Sequence, residues 1–153
     1  MVSDPKNDEY FMRRALQEAE KAAKNREVPV GAVIVAGGKI ISRGHNEPIR
    51  RNDPTAHAEI SALRKACRKL GNYRLQDCDL YVTLEPCAMC LGAIIQARIG
   101  SLVFAASDPK AGAVVSIMRY PLEKTNHKMD IRGGVLADEC GRILKHFFMS
   151  RRG

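Results

Sequence analysis

No stretch of the 153-residue chain approaches the ~18 apolar residues in a row that a membrane-spanning helix needs. The opening Met1-Val2-Ser3-Asp4-Pro5-Lys6-Asn7 has no apolar signal-peptide core. A membrane or secreted protein is therefore not expected, and the expected compartment is the cytoplasm. Internal repeats, low-complexity tracts and a composition-marked linker are also missing, which leaves a single domain over residues 1–153. A disulfide framework is not required, because a chain of this size can bury about 68–70% of its unfolded surface. The five cysteines, two of them assigned to metal below, fit a reducing compartment.

The net charge is +8 and unevenly placed. Residues 1–30 balance six basic against six acidic side chains, whereas residues 39–74 carry nine basic against three acidic. From Arg119 onward there are eight basic and four acidic residues, and the chain closes on Phe147-Phe148-Met149-Ser150-Arg151-Arg152. Mixed basic and aromatic side chains suit an anionic polymer. Arg64, Lys65, Arg68 and Lys69 are better explained as the solvated face of a helix. Arg50, Arg51, Lys110, Arg151 and Arg152 are the stronger contacts for such a partner.

The densest chemistry lies in His57-Ala58-Glu59 and, about thirty residues on, Pro86-Cys87-Ala88-Met89-Cys90. Two thiols and an imidazole are zinc ligands, and no fourth ligand sits at finger-like spacing. Structural zinc is closed by four protein ligands, whereas catalytic zinc keeps a position for water. Zinc can bring the pKa of that water to about 7. Glu59, left unliganded, is then a proton carrier: it can take a proton from water, deliver it to a ring nitrogen and protonate a departing amine. His-x-Glu with Pro-Cys-x-x-Cys is also the known signature of zinc-dependent nucleobase deaminases.

Cys87 and Cys90 are three apart, so on a helix they share a face, and Pro86 suits its first turn. A helix N-terminus favours anions and lowers thiol pKa. Asp53-Pro54-Thr55 is a turn-like cluster before His57, and Ile60, Leu63, Ala66, Cys67 and Leu70 follow at helical spacing. Two helix starts are thus expected to converge. Cys-x-x-Cys after a strand also fits a thioredoxin-like redox pair, but such a pair needs neither His57 nor Glu59. A structural zinc module with His45, His127 or His146 as fourth ligand is the other alternative. Cys67, Cys78 and Cys140 have no companions at ligand spacing and are expected to be buried free thiols.

Along the chain, residues 10–24 predict an amphipathic helix, and residues 28–36 and 39–42 predict two strands joined through Gly37-Gly38 as an antiparallel hairpin. A strand at 79–84, the cysteine helix to about residue 98 and a strand at 101–105 follow, and their alternation favours parallel pairing. Residues 107–112 begin a loop, 114–118 fit strand or helix, and most of 119–129 has no period. Asp138 is placed to open a final helix with Ile143, Leu144, Phe147 and Phe148 as its apolar face.

Beyond the zinc motif, the chain resembles the bacterial tRNA-specific adenosine deaminases over nearly its whole length. The stretches that carry this include Arg26-Glu27-Val28-Pro29-Val30-Gly31-Ala32-Val33, Asn46-Glu47-Pro48-Ile49, Asp53-Pro54-Thr55-Ala56-His57-Ala58-Glu59-Ile60, Asn72-Tyr73-Arg74-Leu75 and Leu80-Tyr81-Val82-Thr83-Leu84-Glu85-Pro86-Cys87. Asn126-His127 and Gly134-Val135-Leu136-Ala137-Asp138-Glu139-Cys140 extend it. The resemblance implies a three-layer α/β/α cytidine-deaminase-like fold, with a central mixed sheet of about five strands and helices on both faces, and a homodimer. It implies hydrolytic conversion of the wobble adenosine of a tRNA anticodon, most simply an arginine tRNA, to inosine. It assigns one Zn2+ per subunit to His57, Cys87 and Cys90, and proton shuttling to Glu59. Asn46 would bond the target base in a pocket near Val30, Ala58 and Leu84, Asp108 and Lys110 would touch adjoining nucleotides, and the basic, aromatic tail would hold the RNA backbone. An anticodon loop, already unpaired, costs less to splay than a duplex.

Residues 115–125 depart from the family pattern more than their flanks; the resemblance sets them near the RNA, which leaves substrate context open. Guanine and cytosine deaminases share His-Ala-Glu and Pro-Cys-x-x-Cys, so the choice of adenosine rests on the wider stretches. The lack of tryptophan disfavours the single-stranded DNA cytidine deaminases, whose similar motif contains one. A free nucleobase or nucleoside deaminase and a non-catalytic zinc-containing RNA-binding subunit are the competing functions. Retention of Glu59 speaks against the second.

Overall fold

The computed structural model describes residues 7–152. Helix α1 (Asp8–Lys24) has Asp8 and Glu9 in its first turn and Lys21 and Lys24 in its last, as the helix dipole favours, and buries Phe11, Met12, Ala15, Ala19 and Ala22. Strands β1 (Gly31–Ala36) and β2 (Lys39–His45) form the antiparallel hairpin, with Gly37 and Gly38 both at positive φ in its turn. Next come α2 (Pro48–Arg51), α3 (Ala58–Leu70), β3 (Cys78–Leu84), α4 (Ala88–Gln96) and β4 (Ser101–Ala106). A short 3-10 turn at Leu122–Lys124, β5 (Asp130–Arg132) and α5 (Ala137–Arg152) complete the chain.

The sheet order is β2-β1-β3-β4-β5, with β1 antiparallel to β2 and β3, and β3–β4 and β4–β5 parallel. Strand alternation sends Val33, Val35, Tyr81 and Val103 toward Phe11, Met12 and Ala15. It sends Ala32, Ile34, Leu80, Val82, Leu102 and Phe104 toward Ala62, Ala66, Leu91 and Ile94. Thus α1 and α5 cover one face, α3 and α4 the other, and the expected three layers and five mixed strands are present.

Gly44 and Gly31 set how close the helices approach. A Cβ on Gly44 would lie 2.4 Å from the Ala58 carbonyl oxygen, and one on Gly31 2.1 Å from that of Ala15. Both helices therefore rest backbone to backbone on the hairpin, which fixes the start of α3 against β2. Because β2, β3 and β4 run in one direction, their carboxyl ends and the amino end of β1 share an edge. Ligands of open α/β sheets bind at that kind of edge.

The structure departs from the sequence expectations in places. Residues 28–30 precede the ladder: Pro29 has no N–H to give, and the Val30 N–H turns back to the Val28 carbonyl at 2.8 Å. Strand β2 runs on to His45. Residues 114–118 form neither strand nor helix, because the N–H groups of 114–116 are taken by a buried side chain described below and those of Ile117 and Met118 turn back to the Gly112 carbonyl. The fifth strand, β5, is only three residues long, too short for a period. It is held by Arg132, whose guanidinium makes two bonds to Asp8, at 2.8 and 2.9 Å, while the Tyr81 hydroxyl donates to the same carboxylate at 2.9 Å. Among the described residues no helix is long and apolar enough to cross a membrane.

Asp79 and Ser101 face each other across β3 and β4, both buried; Asp79 Oδ1 and Ser101 Oγ make no well-formed hydrogen bond to a described residue, although the Ser101 hydroxyl is near enough to offset part of the effect of burial on the carboxyl. Burial pushes the Asp79 carboxyl above its ordinary value. A carboxyl raised in the folded state contributes stability that is present below its unfolded pKa and is lost as pH rises through its folded pKa. Asp79→Asn is therefore expected to raise stability at pH 7 by on the order of 1 kcal/mol. Urea denaturation should show that gain shrinking as pH falls into the carboxylate range; a gain independent of pH would refute the assignment.

Candidate metal centre and active site

Helices α3 and α4 begin at the same edge, and the candidate ligands sit at their starts. His57 is the N-cap of α3 and Cys87 the N-cap of α4, both with extended backbones, while Cys90 lies in the first turn of α4 and is fully buried. The sequence placed Pro86 in the first turn; it instead precedes the cap, because the chain stays extended through Cys87. His57 Nδ1 lies 3.7 Å from Cys87 Sγ and 3.4 Å from Cys90 Sγ, and the three ligand atoms are all within 4.8 Å of one another.

No fourth ligand joins them among the described residues. His45 sits between Glu18 and Glu47, at 3.4 and 3.1 Å, and His127 Nε2 is bonded to the Ile99 carbonyl. This removes two of the closing ligands considered for a structural zinc. All five cysteines are free; Cys78 and Cys140 are buried as expected, whereas Cys67 is only partly buried, because it borders a surface concavity.

The donor set suits a metal cation. The Cys87 thiol is held low, at about 4, chiefly by a hydrogen bond from Cys90 and also by His57, with burial opposing. The same hydrogen bond, with burial, pushes Cys90 up. One negative charge is thus readily held and a second is not, unless a cation replaces the shared proton. The Cys87 hydrogen bond raises His57 against the effect of burial.

Glu59 lies in the first turn of α3, is only 3% exposed and is pushed up to about 7, chiefly by burial, with the His57 charge pulling the other way. A cavity of about 250 Å³ opens over these groups, lined by Val30, Asn46, His57, Glu59, Leu84 and Cys87, with Val28, Pro48, Glu85, Asp108 and Ala111 completing its wall. That is smaller than the ~300–1,000 Å³ of a typical drug-sized ligand site and suits one ring system. Three larger surface concavities, of about 550, 530 and 370 Å³, touch none of the three candidate ligands. Chemistry, not size, selects the site.

Asn46 is nearly buried, and its Oδ1 accepts the Ala58 N–H at 2.8 Å. Ala58 itself is fully buried beneath the cavity and reaches the site through that N–H. Asp108 caps its own turn, accepting the Lys110 and Ala111 N–H groups, and Lys110 stands exposed beyond the wall. Glu27, buried, accepts the Ile49 and Arg50 N–H groups at 3.2 and 2.8 Å and so anchors α2, which carries the wall residue Pro48.

The basic candidates separate. Arg50 and Arg51 border a concavity with Lys21, Lys24 and His45, and Arg51 is ion-paired to Glu47. Phe147, Phe148 and Arg151 line a groove of about 370 Å³ that shares Val28, Asn46 and Pro48 with the cavity. Arg151 stacks 4.9 Å over Phe147 and donates to the Arg26 carbonyl. The side chain of Arg152 lies outside the described residues.

The family model for MafB19-like deaminases matches residues 6–152. The tRNA-specific adenosine deaminase of Haemophilus influenzae is 51% identical over 147 residues, covering 95% of this chain and 85% of that protein. The chain belongs to the tRNA-specific adenosine deaminase family. The family member from Bacillus subtilis is 44% identical over 146 residues, covering 95% and 91%. A structure solved in a study of A-to-I editing by tRNA:A34 deaminases at the wobble position superposes with a TM-score of 0.85 at 48% identity, covering 88% of this chain and 99% of that one. A guanine deaminase from Bacillus subtilis superposes with a TM-score of 0.62 at 50% identity, covering 65% of this chain and 64% of that one.

Glu85, Val28, Pro48 and Ala111 were not singled out from the sequence of this family member. Proximity of Val28 to Val30, and of Pro48 to Asn46, could have pointed to two of them. Glu85 stands two residues before Cys87, yet its partners are 23 to 31 residues away.

Proposed function

We propose that this protein hydrolyses the wobble adenosine of a tRNA anticodon to inosine, water entering at C6 and ammonia leaving. His57, Cys87 and Cys90 would hold one zinc ion per subunit, which when bound supplies Lewis-acid activation of water. Glu59 carries the protons: its carboxylate accepts one from water and donates it to a ring nitrogen, then takes the proton of the new C6 hydroxyl, as that becomes the carbonyl, and passes it to the departing amine. A carboxyl poised near neutrality serves in both directions. With Asn46 Oδ1 committed to Ala58, the amide nitrogen is the group offered to a ring acceptor. Val30 and Leu84 flank the ring and exclude water, while Asp108 and Lys110 meet adjoining nucleotides. Arg50, Arg51, Phe147, Phe148, Arg151 and Arg152 lie along the RNA backbone. An arginine tRNA, a homodimer and the cytoplasm complete the proposal.

The observation that carries it is Glu59, a buried carboxylate beside an open three-ligand set at the floor of a base-sized cavity, in a chain about half identical to enzymes named for this reaction. Likeness to a guanine deaminase keeps a free-base reaction as the second reading. Turnover of an anticodon stem-loop beside free guanine, cytosine and adenosine separates the two. The proposal expects kcat/KM for the stem-loop to exceed each free compound by at least about 100-fold; the reverse order would replace it with a small-molecule deaminase.

A further inference from the structure

Glu85 is a second buried carboxylate on the cavity wall, 2% exposed, and has no part in holding metal or moving protons. It ends the extended run from β3, two residues before Cys87. One loop supplies all five groups that bond it. Its Oε1 accepts the Asp108 N–H at 3.0 Å and the Ser116 hydroxyl, and its Oε2 accepts the N–H groups of Val114, Val115 and Ser116 at 2.9, 2.7 and 3.0 Å. The Ala113 N–H adds a bond to the Pro86 carbonyl at 2.9 Å. A loop with no regular structure thus gets its shape from one side chain and from the backbone beside a candidate metal ligand.

Gly112 lets the loop close. A Cβ there would lie 2.4 Å from the Glu85 carboxyl carbon and 2.4 and 2.6 Å from its oxygens, so the carboxylate would have to move off the bonds that hold it. Hydrogen bonds to a carboxylate are about twice as strong as neutral ones. Glutamine would aim an NH2 group at donors, so most of the set would be lost, not merely weakened.

We propose that Glu85 is a positioning residue for the substrate: it clamps residues 108–116 so that Asp108 and Ala111 form the cavity wall in register with the Cys87 corner. This rests on the cavity being the substrate pocket. His57, Glu59 and Cys90 are held by α3 and α4, so the loop governs how the nucleotides are received more than the chemical step.

The test is Glu85→Gln, Glu85→Asp, Gly112→Ala and Ser116→Ala, each zinc-loaded, assayed for stem-loop kinetics, zinc content and amide exchange at residues 113–116. Glu85→Gln is expected to keep one zinc per chain, to raise KM about tenfold with kcat within about threefold, and to speed exchange about 100-fold. Glu85→Asp, which keeps the charge, should restore part of the KM. Ser116→Ala should raise KM about two- to threefold, and Gly112→Ala should fall between it and Glu85→Gln. If Glu85→Gln does not fold, Ser116→Ala and Gly112→Ala decide. Unchanged KM and exchange in these variants, or a kcat loss at unchanged KM, overturns the proposal. If wild type makes no inosine, the proposed function fails, while the exchange data still decide whether Glu85 clamps the loop.

Discussion

Replacing Glu59 by glutamine is expected to lower kcat by about 10²- to 10⁴-fold while leaving zinc content and stem-loop binding nearly unchanged. Glutamine keeps the size of the side chain but cannot carry a proton, and Glu59 is not among the three grouped ligands. Its near-total burial and its carboxyl near 7 place both protonation states within reach at neutral pH. A structural carboxylate would behave in the opposite way, since its replacement would cost stability or metal and spare the rate. Metal analysis, stem-loop titration and single-turnover kinetics on one preparation distinguish the two. Retained activity at the wild-type rate would remove the proton-carrier role.

Stripping the metal is expected to abolish turnover and to lower Tm by about 10 °C. At a free zinc concentration of about 1,000 times Kd, binding contributes roughly 4 kcal/mol to the folded state, and each kcal/mol moves Tm by about 3 °C in a chain of this size. Cys90→Ser should act similarly, because the buried thiol of α4 becomes a poor ligand while the helix start survives. Re-addition of zinc should recover activity in the stripped wild type and not in Cys90→Ser. Full activity in metal-free protein, or a Cys87–Cys90 disulfide that tracks activity, would favour the redox alternative.

The candidate site was legible in the sequence because each half is local: His57 and Glu59 are two residues apart, and Cys87 and Cys90 three. The helix starts that unite them were marked by Asp53-Pro54-Thr55 and by Pro86. Strands β1 to β4 were legible because their apolar runs are broken at Gly37-Gly38, at Glu85-Pro86 and at Ser107-Asp108-Pro109. Strand β5 was not, since three residues cannot show a period and Arg132 is held by Asp8, 124 positions away. Residues 114–118 resisted assignment for a similar reason. Residues 114–116 follow Glu85, and Ile117 and Met118 fold back on the Gly112 carbonyl, rather than following their own propensities. Lys110, expected from the resemblance at the nucleotides around the target base, stands exposed outside the cavity wall with its backbone N–H bonded to Asp108.

The most direct measurement is position-resolved inosine in an intact arginine tRNA treated with zinc-loaded protein. The account predicts inosine at the wobble adenosine and at no other adenosine of the anticodon loop, with none formed by Glu59→Gln. An absence of inosine from protein carrying one zinc per chain, or equal modification of other loop adenosines, would contradict it.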